Sequence, residues 1–171
     1  MSREQGKIWM KMTNREVIDF LKVISKELQL KNGLHKRVGI DSEDKFTGNG
    51  STISYFDTVM GSSVGIKELY DNPNAHTDNY TFMKAFISVL HEYTHIYQRE
   101  VLLHEKGNSV NYLAIGYAAE AASPVYYNNI NNYKLMPHEI SAQYSALKNG
   151  YKFAAKNPHA CVWDESRFSF T

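Results

Sequence analysis

Apolar residues first recur at helical spacing over residues 13–30, where Val17, Phe20, Leu21, Ile24 and Leu28 form one stripe. Thr13 and Glu16 predict a capping box at its start, the hydroxyl accepting from the Glu16 amide and the carboxylate from the Thr13 amide. Asn32-Gly33 supplies the stop. From residue 34 to about 71 the pattern breaks up. Gly39, Gly48, Gly50, Gly61 and Gly65 separate pieces rich in Ile, Val, Tyr, Phe and Thr. Residues 36–40, 51–58 and 63–69 read as short strands, mostly antiparallel because their connections are short.

Helical periodicity returns at residue 79 or 80 and runs to His104, with Gly107 beyond it. Phe82, Phe86, Val89, Leu90, Tyr93, Ile96 and Tyr97 cover a broad face, which places this helix near the centre of the domain. Residues 110–127 are rich in Ala and Tyr and read as helical around 114–122 before Pro124. The Asn-rich stretch 128–133 reads as a loop. A last helix starts at Pro137, a residue suited to a first helical turn, and runs to Asn149-Gly150. No repeat or linker divides the chain. The expected architecture is a single α+β domain over residues 1–171: a small twisted, mostly antiparallel sheet packed on a central helix, completed by further helices.

Composition narrows the function. A chain of 171 residues that is 43% apolar and 22% charged can bury a core and is not a disordered segment. Its 19 Lys+Arg against 18 Asp+Glu lack the basic excess of a nucleic-acid binder. Cys161 stands alone, so no intramolecular disulfide is required. No apolar run is long enough for a signal h-region or a membrane span, so a cytoplasmic protein without a membrane partner is expected. Oligomeric state leaves no signature.

The chemistry lies in the long helix, at His91-Glu92-Tyr93-Thr94-His95. Positions i and i+4 project from one face, so both imidazoles can reach one ion at about 2.0–2.1 Å. Glu92 sits one step around, placed to take a proton from a water at that ion. A catalytic zinc usually takes three protein ligands, so a third is needed. The extended motif with a glycine three residues after the second histidine and a further histidine three beyond is excluded, because Gln98 and Val101 stand there. His104 lies too far along the helix axis. A carboxylate is favoured, foremost Glu139 in the first turn of the Pro137 helix. There Ala142 and Ala146 give a small face that lets two helices approach. Glu120, between alanines, and His138 remain alternatives.

With His91-Glu92-x-x-His95 followed by Glu139-x-x-Ala142, and a strand-rich stretch before the zinc helix, the chain resembles compact gluzincin-type zinc metallopeptidases over roughly residues 50–145. The resemblance implies Zn2+ held by His91, His95 and Glu139, with Glu92 as general base in peptide-bond hydrolysis. It also implies an edge strand, within 51–58 or 63–69, that pairs with an extended peptide or protein substrate. The sequence departs from the thermolysin-like pattern at Gln143, where an aspartate is expected. For the group that stabilises the oxyanion, Tyr133 is the leading candidate, followed by Tyr112, Tyr126 and Tyr127. The competing function is a zinc-binding regulatory or interaction module with little general protease activity.

Overall fold

The computed structural model describes residues 12–41, 53–54, 62–65, 67–102, 115–116, 118–119, 122–123 and 129–169. Their elements are α1 (Asn14–Lys31), β1 (Gly39–Asp41), β2 (Ile53–Ser54), β3 (Ser62–Gly65), α2 (Lys67–Asp71), α3 (Asn79–Tyr97), a π-helical turn (Gln98–Leu102), α4 (Ile130–Tyr133) and α5 (Pro137–Lys156). Trp9, His104, Tyr112, Glu120, Tyr126 and Tyr127 lie outside the described residues.

α1 forms where its capping chemistry places it. Thr13 accepts from the Glu16 amide at 3.3 Å, and the Glu16 carboxylate accepts from the Thr13 amide at 2.7 Å. Gly33 ends the helix with φ +62°, a conformation that glycine adopts without a Cβ penalty. The buried Asn14 side chain donates to the Asn72 carbonyl at 2.8 Å and accepts from the Thr77 hydroxyl at 2.6 Å. The start of α1 is thereby fixed to the loop that enters α3. Asp78 caps α3, accepting from the Thr81 amide at 2.9 Å.

The α+β expectation is corrected by this structure, which is mostly helical. The strands are three, two and four residues long. Their order is β1-β3-β2, with β1 parallel and β2 antiparallel to β3, so the expected antiparallel predominance is absent among the described pairs. Residues 63–69 do not form one strand: β3 ends at Gly65 and α2 begins at Lys67. Residues 128–133, expected as a loop, contain the single-turn helix α4.

The described core belongs to the helices. Phe20 of α1, Phe82 and Phe86 of α3 and Phe153 of α5 stack in one aromatic group, the last two with ring centroids 4.6 Å apart. Val17, Leu21, Met83, Val89 and Ala146 are fully buried in the same cluster. α5 runs past Gly150, the expected stop, to Lys156. A Cβ at Gly150 would lie 3.0 Å from Ile87 Cγ1 and 3.2 Å from the Trp163 ring, so this glycine serves close packing against α3. Trp163 also meets Tyr151 and Phe168, fastening the C-terminal segment onto α5.

Candidate metal centre

α3 and α5 pack along their length, and the site sits between them. His91 and His95, one turn apart on α3, bring their Nε2 atoms within 3.0 Å of each other, the rings set edge to face. Glu139, in the first turn of α5, lies between them: Oε2 is 3.1 Å from His91 Nε2 and Oε1 is 3.0 Å from His95 Nε2. Glu92 is buried beside them, its Oε1 3.8 Å from His91 Nε2. Glu92 shares a compact cluster with both histidines, but Glu139 is the nearer carboxylate and touches both imidazoles.

Of the alternatives to Glu139, His138 is buried with Nε2 3.6 Å from Glu139 Oε1 and its ring 5.9 Å from that of His95. Its imidazole sits behind the carboxylate and leans on Gly116, where a Cβ would come within 2.6 Å of His138 Nδ1. Tyr133 is half-buried at the end of α4, five residues before His138.

Two glutamines hold the outer edges of the imidazoles. Gln143, one turn beyond Glu139, places Oε1 3.1 Å from His91 Nδ1. The residue that departs from the thermolysin-like pattern thus meets His91 with a neutral amide oxygen. Gln98 places Oε1 3.0 Å from His95 Nδ1. Sequence reasoning used Gln98 only to exclude a longer zinc motif and missed this contact. Its i,i+3 spacing from His95, which puts both residues on one helix face, was the available signal.

The electrostatics follow from burial and proximity. Burial disfavours charge on the His95 imidazole, yet the Glu139 hydrogen bond and the nearby Glu92 outweigh it and raise its pKa. Burial likewise pushes the Glu139 carboxyl upward, but the His91 and His95 hydrogen bonds win and hold it well below the usual carboxylate range. Glu139 is therefore ionised at neutral pH, the form a metal ligand requires.

The donor set fits a small divalent cation. With both Nδ1 atoms turned outward to glutamine oxygens, two Nε2 atoms and a carboxylate converge within 3.0–3.1 Å, and in the neutral rings with Nδ1–H those Nε2 atoms offer lone pairs. Three acceptors this close repel one another unless a cation or shared proton lies among them. Donors bound tetrahedrally at about 2.0–2.1 Å would stand about 3.4 Å apart, a small adjustment, and His2Glu is a familiar catalytic zinc set. No protein-family model, curated protein or solved structure matches the chain. No helix among the described residues is long and apolar enough to cross a membrane.

Proposed function

We propose that this chain is a zinc-dependent peptidase, with Zn2+ held by His91, His95 and Glu139 in the manner of the gluzincins. The observation that carries this reading is the Glu139 carboxylate lying 3.1 and 3.0 Å from the two Nε2 atoms of an H-E-x-x-H helix, although it comes from a different element. Zn2+ would supply Lewis acidity toward water and the scissile carbonyl. The chain's own groups do the rest. Glu92, buried one step around the helix, takes the proton of the attacking water and delivers it to the leaving amine. Burial of the site excludes competing water and strengthens each of these interactions. Tyr133 is proposed to stabilise the oxyanion.

The substrate is proposed to be a peptide or protein segment bound in extended form along a strand edge. β3 cannot offer that edge, because β1 and β2 pair with it on both sides. Of the two stretches expected to provide it, β2 within 51–58 stands at the edge of the described sheet.

The test pairs two variants with metal analysis. Glu92→Gln retains stoichiometric zinc and the fold but loses peptide hydrolysis, at least about 100-fold in kcat. Glu139→Ala loses the metal. Hydrolysis by Glu92→Gln at the wild-type rate would overturn the mechanism. Stoichiometric zinc without turnover of any peptide library would favour a zinc-binding regulatory module.

A further inference from the structure

Gln98 is only 1% exposed, and a buried amide costs stability unless its polar ends are satisfied. Here the two ends are used for different purposes. Nε2 donates to the backbone carbonyl of His138 at 3.2 Å, and Oε1 faces His95 Nδ1 at 3.0 Å. A backbone carbonyl can only accept, so the NH2 group must point to His138, which turns the amide oxygen toward His95. That oxygen can only accept as well. His95 must therefore carry a proton on Nδ1, so that the neutral ring keeps its lone pair on Nε2, the atom that faces Glu139 and His91.

The same amide joins the two elements that bear the cluster. Gln98 opens the π-helical turn that extends α3, its own amide shared between the His95 and Thr94 carbonyls. π-turns recur at functional sites, where they re-aim side chains. The bond to His138 reaches the residue immediately before Glu139, so one side chain fixes both the ring of His95 and the backbone from which the Glu139 carboxylate projects.

We propose that Gln98 is a positioning residue: its amide holds His95 in the Nδ1–H tautomer and locks that ring to the α5 backbone bearing Glu139, pre-assembling the donor triangle before any metal binds. The assignment rests on the metal-centre reading for its purpose, but not for its geometry, which belongs to the metal-free chain. A glutamine in this place also keeps the bond to His95 neutral. It orients the ring without adding a negative charge behind it.

The first measurement needs no variant. In the metal-free protein at alkaline pH, where the imidazoles are neutral, 15N shifts report which ring nitrogen of His95 carries the proton. The Nδ1–H form is expected, and a predominant Nε2–H form would overturn the proposal. Gln98→Met, close in shape but unable to hydrogen-bond, is then expected to lose that tautomer preference and to bind zinc about 10–100-fold more weakly by chelator competition. Gln98→Glu, which restores the acceptor for Nδ1–H but not the donor to the His138 carbonyl, is expected to recover the tautomer without the full affinity, and loss of the Nδ1–H form in this variant would overturn the tautomer assignment. Wild-type zinc affinity in Gln98→Met would overturn the positioning role. A wild-type chain that binds no zinc would instead refute the metal-centre reading, and the 15N measurement would still decide the Gln98 assignment.

Discussion

At the scale of single residues, a site of this kind depends on which atoms a proton or a charge occupies. Both histidines present Nε2 inward because each Nδ1 meets a glutamine oxygen. The two glutamines differ in setting: Gln98 is buried, whereas Gln143 is exposed at the rim. Exposure makes Gln143 the safer place to vary charge. Gln143→Glu keeps the length and the acceptor but puts a carboxylate behind His91, which raises ring basicity, so zinc is expected to bind more tightly than in wild type at neutral pH. Gln143→Met removes the acceptor and is expected to weaken binding by up to about tenfold, less than the buried Gln98 change because water can replace the lost partner. Chelator competition on the two variants checks the opposite signs. Cys161 belongs to the packing: it is buried, and burial pushes its thiol up to about 11, so it is not a nucleophile at neutral pH.

At the scale of elements, the distance between α3 and α5 decides whether Glu139 reaches the imidazoles. Ala142, Ala146, Gly150 and Ala154 repeat every four residues along the buried side of α5, and this row of small side chains permits the approach. Ala142 is fully buried less than one turn beyond Glu139. Ala142→Leu is therefore expected to cost about 1–3 kcal/mol by overpacking and to push the helices apart at the site. Urea denaturation should show the loss of stability, and zinc titration should show weakened binding in the fraction that stays folded. The π-helical turn after α3 braces the other side. Glu100 accepts from the backbone amides of His35 at 2.6 Å and Lys36 at 3.0 Å, so the same turn that carries Gln98 also holds the chain leading into β1.

At the scale of the whole molecule, the proposed ion would join α3 to α5, the two longest helices described. A ligand that binds the folded chain stabilises it by mass action, by about 2.7 kcal/mol at a free concentration a hundred times its Kd. Removing zinc with a chelator is expected to lower Tm by several degrees, reversibly on adding zinc back. The Glu139→Ala chain should melt at the same temperature with and without chelator. An unchanged wild-type Tm after complete metal removal would count against the ion as part of the folded structure.

What the sequence determined by itself is local. The capping box of Thr13 and Glu16 and the shared face of His91 and His95 follow from spacings within one or two helical turns, which backbone geometry fixes wherever the helix forms. The expectations that failed were set by distant partners. The pattern around residues 34–71 suggested strands, but the strands among the described residues are short, with β3 between two neighbours, and most of the described core lies on the helices. Gly150 looked like a helix stop because its packing against Ile87 and Trp163 is invisible along the chain. Glu139, Glu120 and His138 could not be separated by spacing alone. Only the close approach of α3 and α5 put the Glu139 carboxylate against both imidazoles, with Gln98 and Gln143 behind them. Such contacts depend on how side chains from remote segments fill shared space, and periodicity within one segment carries no record of that.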